Sequence, residues 1–159
     1  MDHDEYAMSL GKIVGNFHAL ELLIRVFLCE DKKEHYELPA AGASEVLLSH
    51  LTNYDSMDKL ICKYNASLDT NDEKKYRVDP KIVRIRDAIA HGRPVSATGG
   101  FPITLYKFGK RSVAGKVSVE FSEVLDDAWL KDAMQKIFSS IESVRSCAQS
   151  RGYNEAIAG

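Results

Sequence analysis

Cysteine is scarce in this chain: three in 159 residues, Cys29, Cys62 and Cys147, widely spaced and odd in number. That excludes a disulfide framework, and the lack of any Cys-x-x-Cys pair leaves a zinc site without support. None of the three sits in a recognisable nucleophile motif, so each reads as a small core or surface residue. Long apolar runs are missing as well; none approaches the roughly 18 residues that a membrane span needs. An excess of charge of one sign is also lacking. Lys+Arg number 21 and Asp+Glu 23, a formal net charge of -2, which argues against a globally basic, histone-like binder of nucleic acid. The opening Met-Asp-His-Asp-Glu carries the wrong charge for a signal peptide, and with reduced cysteines the expected compartment is the cytoplasm. No glycine loop able to cradle a phosphate is present, since Gly99-Gly100 alone is only a turn signal. The five histidines, His3, His18, His35, His50 and His91, lack metal-ligand spacing, so neither a metal nor a cofactor is expected. There is no internal repeat.

What is present is ordinary for one soluble domain: 45% apolar, 28% charged, mean hydropathy -0.24. One helical domain over residues 1–150 is expected, with 151–159 a flexible tail. From Glu5 to Glu30, Leu10, Ile13, Val14, Phe17, Leu20, Ile24, Phe27 and Leu28 recur at helical spacing. A second strip, Gly11, Gly15, His18, Leu22 and Cys29, would admit another backbone, in the core or at a subunit interface. Asp31 to Ala43, with Pro39 and Gly42, reads as a loop. Ser44 is expected to cap a short helix through Leu51, and a further helix covers about Ser56 to Ser67, burying Met57, Leu60, Ile61 and Tyr64. Asp69 to Lys75 is a polar connection with some helical character. Asp79-Pro80 predicts a helix start and Gly92 a left-handed end, placing a helix over Pro80 to Ala90. A β-hairpin follows, Phe101 to Phe108 and Ala114 to Phe121, with Gly109-Lys-Arg-Ser as its turn. Asp126 or Asp127 then caps a last helix burying Trp129, Leu130, Ala133, Ile137, Phe138, Ile141 and Val144. The expected fold is mainly α: a bundle of four to five helices with a β-hairpin inserted before the C-terminal helix.

The segment of chemical interest is Arg86-Asp-Ala-Ile-Ala-His-Gly92, which closes a capped helix. An arginine followed by a polar residue, with a histidine after four more positions, resembles the signature of the HEPN superfamily (higher eukaryotes and prokaryotes nucleotide-binding). Asn16-Phe-x-x-Leu20-Glu21-x-x-x-Arg25 is similar to that family's first helix. The resemblance in helix order covers most of the chain; the motif covers only Arg86 to Gly92. It implies a homodimer whose paired motif helices form a shared cleft. In active members that cleft cuts RNA without a metal: the RNA's own 2′-hydroxyl attacks, leaving a cyclic phosphate and a 5′-hydroxyl end. Many members belong to toxin–antitoxin or phage-defence systems, which implies an antitoxin or nucleotidyltransferase partner. Others are inactive and bind nucleotide or a partner protein, which is the alternative reading here. Some HEPN toxins carry a tyrosine two places after the histidine, the target of that nucleotidyltransferase. Arg93 stands at that place in this chain, which argues against the tyrosine route and leaves an antitoxin of another kind.

The residue types suit metal-free RNA cleavage. An imidazole titrates near neutrality, so His91 can exchange protons with the 2′-hydroxyl or the leaving oxygen. The forked guanidinium of Arg86 can hold the phosphate and offset its growing charge. Asp87 and His91 are i, i+4 neighbours, so the carboxylate can orient the ring. Ile82, Ile85 and Ile89 form the core face of the helix. Arg84 lies almost in line with His91 and joins Arg93 as a candidate phosphate contact. Arg86 points about 140° away from His91, so a single helix converges the pair poorly and a two-fold partner would help. Both residues have a plainer use too. Arg86 can pair with Glu21, His91 can cap the helix end, and Glu21 with Arg25 has the spacing of an ordinary helix salt bridge. Charge is also unevenly spread. Between Lys74 and Lys116 there are 11 Lys+Arg and 2 Asp+Glu, +9 in all, against -11 for the remainder. Lys107, Lys110, Arg111 and Lys116 of the hairpin belong to that block, a local landing surface for a polyanion such as RNA.

Overall fold

The computed structural model describes residues 2–38, 40–96 and 99–153. Pro39 of the expected loop and residues 154–159 of the expected tail lie outside them. Among the described residues the chain forms five helices, α1 (His3–Lys32), α2 (Met57–Ser67), α3 (Thr70–Tyr76), α4 (Ile82–His91) and α5 (Asp127–Ser150). Three strands, β1 (Arg93–Val95), β2 (Ile103–Val113) and β3 (Lys116–Leu125), make one antiparallel sheet in the order β1-β2-β3. The fold is mainly α, and the β2–β3 hairpin lies between α4 and α5 in the chain. No helix among the described residues is long and apolar enough to cross a membrane. The chain divides into two compact units, Met1–Phe17 with Lys81–Ile137 and His18–Pro80 with Phe138–Gly159.

In the second unit the core is built on the middle of α1. Leu20, Leu23, Ile24, Val26, Phe27 and Leu28 are buried there, as are Leu60, Ile61 and Tyr64 of α2 and Val144 of α5. The Phe27 and Tyr64 rings meet edge to face at 4.8 Å, and the Tyr64 hydroxyl donates to the Tyr76 carbonyl at 2.9 Å. Burial pushes the Cys29 and Cys147 thiols up from their ordinary range, which keeps them protonated. Ser56 caps α2 through the Lys59 amide, and Asp69 caps α3 through the amides of Asn71 and Asp72. The polar connection is therefore mostly helix. Residues 151–153 of the expected tail are tied down. Arg151 pairs with Asp31 and Asp72 at 2.9 Å each, and the Tyr153 ring packs against Phe27 at 5.3 Å.

The short helix after Ser44 does not form. An eight-residue helix is marginal without a core to lie on, and Val46, Leu47 and Leu48 here are exposed. The backbone is held instead by side chains. Glu34 accepts the His50 amide at 2.8 Å, and Thr52 Oγ1 accepts from the Ser49 amide and donates to the Leu47 carbonyl. Arg25, only 9% exposed, donates through its guanidinium to the carbonyls of His50, Asn53 and Asp55. Its bond to Glu21 at 2.9 Å is the expected helix salt bridge, and the same side chain also clamps the loop.

The first unit carries the sheet. Asp2 and Glu5 start α1 with reciprocal side-chain bonds to each other's amides, two residues earlier than the apolar pattern suggests. The strip of small residues is split: nothing lies within 4 Å of a Cβ placed on Gly11 or Gly15 and Leu22 is exposed, whereas Cys29 is fully buried. Val14 and Phe138, expected in the core, are 37% and 50% exposed. Trp129 is half-buried, edge-on to Phe121, both packed on the cluster of Ala88, Leu105 and Leu125. Asp126, rather than Asp127, caps α5 by accepting the Trp129 amide at 2.8 Å.

Helix α4 begins at Ile82 with no side-chain cap, not at Pro80. Asn65 bonds both the amide and the carbonyl of buried Val78, next to Asp79. Gly92 is not left-handed either; it is extended, at φ -77° and ψ 167°. Glycine is required for another reason. A Cβ there would collide with the Ala88 carbonyl oxygen and come within 2.7 Å of Leu105 Cδ1. Gly92→Ala is therefore expected to cost about 1–3 kcal/mol by overpacking, measured by urea unfolding; a loss below a few tenths would show that the sheet gives way freely.

Candidate functional site

Ala88 of α4 sits on Leu105 of β2, so the next residues on that side of each element, Asp87 and His91 on the helix and Lys107 on the strand, border the same space. It is a cleft of about 690 Å³ lined by Asp87, His91, Lys107, Phe108, Gly109, Lys110, Arg111, Ser118 and Glu120. His91 is the last residue of α4 and is exposed. Its ring makes no hydrogen bond among the described residues, so both nitrogens are open to a ligand.

The hairpin builds the other wall through an irregularity in its ladder. Its turn is at Ala114 and Gly115, both with positive φ, and not at Gly109. Phe108 pairs with Val119 and Ser112 with Val117, so Gly109, Lys110 and Arg111 together face the single residue Ser118. One step earlier Glu120 is the extra residue on β3, between the Lys107–Phe121 and Phe108–Val119 pairs. Such bulges bend a strand and redirect its side chains. A Cβ on Gly109 would lie on Ser118 Oγ, with Glu120 Oε1 at 3.3 Å, so a larger residue there would have to turn the Ser118 hydroxyl aside.

The carboxylates of the cleft are already engaged. Glu120 pairs with Lys107 at 3.1 Å, and Asp87 lies 3.9 Å from Lys107 through Oδ2. Asp87 Oδ1 accepts from Arg86 Nη1 at 3.0 Å. Asp87 thus lines the same cleft as His91, but it accepts its hydrogen bond from Arg86 and forms a loose ion pair with Lys107 rather than bonding the imidazole. Lys110 and Arg111 have no ion-pair partner among the described residues. The cleft therefore offers two uncompensated cations and an open imidazole.

Of the residues expected to form the site, Asp87 and His91 line the cleft and the three arginines do not. Each arginine touches a lining residue: Arg86 bonds Asp87, Arg84 donates to the Glu120 carbonyl at 3.2 Å, and Arg93 lies over the Phe108 ring at 5.5 Å. The Arg86 side chain is 42% exposed, and Glu21, its plainer expected partner, is paired with Arg25. Asn16 donates to the Lys12 carbonyl and to Met134 Sδ, a structural use, while Phe17 and Leu20 are core. The hairpin residues Phe108, Ser118 and Glu120 were not expected in the site. Gly109-Lys-Arg is a turn-like sequence, and only pairing with β3 shows it to be a bulge. No family model matches the chain, and neither does any curated protein or solved structure.

Proposed function

We propose that this protein is an RNA-cleaving enzyme, and more particularly a metal-independent endoribonuclease of the HEPN type. It acts as a cytoplasmic homodimer, a toxin or phage-defence effector checked by an antitoxin. In this reading the helices form that family's bundle, with the hairpin inserted before its last helix. The observation that carries it is the unbonded His91 imidazole on the lip of a cleft whose uncompensated cations are Lys110 and Arg111. The 2′-hydroxyl loses its proton as its oxygen bonds to phosphorus. The bond to the 5′-oxygen then breaks and that oxygen takes up a proton. His91 carries one of these two transfers, Arg86 offsets the charge on the non-bridging oxygens, and Asp87 holds Arg86 in place. Arg84 and Arg93 contact flanking phosphates.

Because Arg86 and His91 leave α4 in different directions, the active pair is completed by the second chain. Cleavage of labelled RNA is expected to be unchanged in EDTA and to weaken steeply with salt, as phosphate contacts require. A strong metal requirement, or a rate flat in salt, contradicts this. One observation favours the alternative, a non-catalytic HEPN-like dimer that binds nucleotide or a partner protein: the Arg86 guanidinium is bonded to Asp87 and stands outside the cleft. Binding of RNA or nucleotide without any chemical change would establish that reading instead.

A further inference from the structure

Strand β2 alternates. Leu105 and Lys107 face α4, so Tyr106 and Phe108 project from the other side of the sheet. The two rings are parallel within 10°, their centroids 6.0 Å apart, and both are only half-buried. Arg93, paired with Tyr106 across β1, lays its guanidinium over Phe108. On this face Val95, Val119 and Val124 are 50%, 55% and 45% exposed, so no core covers it. Phe108 directly precedes the bulge residues Gly109, Lys110 and Arg111, and is itself among the residues that line the cleft.

We propose that Tyr106 and Phe108 are a base-stacking subsite for single-stranded RNA, with Lys110 and Arg111 of the bulge taking the adjacent phosphates. This names the substrate class of the ribonuclease reading and rests on it for the cleavage step, though not for binding. Flat aromatic rings beside unpaired cations match the two repeating parts of a single strand, a π-face and a phosphate. In a duplex the base faces are shut inside the stack, so they cannot lie on these rings. An unpaired strand is therefore selected over a duplex.

The test uses His91→Ala protein, so that cleavage is not expected to interfere with binding, with a fluorescent unstructured 12-nucleotide RNA, the same RNA as a duplex, and one with abasic positions. The single strand is expected to bind more tightly than the duplex or the abasic strand. Tyr106→Ala and Phe108→Leu, each added to His91→Ala, are expected to weaken single-strand binding about tenfold. Lys110→Ala with Arg111→Ala is expected to flatten the salt slope by about 1.4, from two phosphate contacts at ~0.7 each. Circular dichroism identifies a variant that has not folded, and Tyr106→Leu then takes its place. Equal binding of duplex and single strand overturns the proposal, and so does unchanged affinity in folded aromatic variants. If Tyr106→Ala instead shifts the sedimentation of the protein and leaves RNA affinity alone, the face serves a second copy of the chain and the proposal falls. Tight single-strand binding by a parent protein that never cuts RNA supports this subsite while refuting the ribonuclease. Unchanged cutting by Tyr106→Ala protein with unchanged affinity does the reverse.

Discussion

Replacing His91 by Ala is expected to lower RNA cleavage by about 10²–10⁴, the range that a positioned proton-transfer group supplies. Arg86→Ala is expected to cost about 10²–10³, as the loss of a donor aimed at developing charge does elsewhere. Neither substitution threatens the fold. His91 is exposed, Arg86 is 42% exposed, and neither side chain belongs to the core. The helical spectrum and the oligomeric state should therefore match the parent. Because the two side chains diverge on one helix, a composite site makes a sharper demand. When the two inactive variants are refolded together in equal amounts, the mixture should regain about a quarter of the parent activity, since about half of the dimers mix the two chains and each of these keeps one of two sites intact. If either single variant cuts RNA at the parent rate, these residues are not the machinery. If the mixture stays dead, the pair does not assemble across chains.

The second large effect concerns stability. Arg25→Met is expected to cost about 3 kcal/mol, the lower end for removing one partner of a buried, hydrogen-bonded charge. The guanidinium is bonded to Glu21, to the Asn53 side chain and to the carbonyls of His50, Asn53 and Asp55. Methionine fills the space and leaves those acceptors without a donor. An exposed i, i+4 pair is worth only about 0.3–0.5 kcal/mol, so the two uses of Arg25 differ several-fold in size. Urea unfolding of Arg25→Met beside Glu21→Gln separates them. A loss under 1 kcal/mol for Arg25→Met would mean that the loop from His50 to Asp55 does not depend on this clamp. Folded Arg25→Met protein should still cut RNA, because the residue lies outside the cleft.

Helices α2 and α5 were legible because their signals are local: Ser56 and Asp126 supply the caps and a 3.6-residue apolar period supplies the buried face. The stretch from Ser44 to Leu51 carries a similar cap and apolar residues, yet forms no helix. Its fate is set by Glu34 and Arg25, distant side chains that capture its backbone. Gly92 and Gly109 show the same limit at the site. Both were read as glycines that turn the chain; instead Gly92 is required because the Ala88 carbonyl comes too close for a Cβ, and Gly109 sits in a bulge against the Ser118 hydroxyl. The divergence of Arg86 from His91 was legible, since helical geometry fixes it. The cleft was not, because its second wall depends on the register of β2 against β3.

Product-end analysis tests the proposed chemistry most directly. RNA incubated with the protein in EDTA is expected to yield fragments ending in a cyclic phosphate and a 5′-hydroxyl, identified by mass. A 2′-deoxy substitution at the cleaved position should abolish that cut, because the attacking group is gone. Fragments with 5′-phosphate ends, or a cut that survives the deoxy substitution, would contradict attack by the 2′-hydroxyl and with it the roles given to Arg86 and His91.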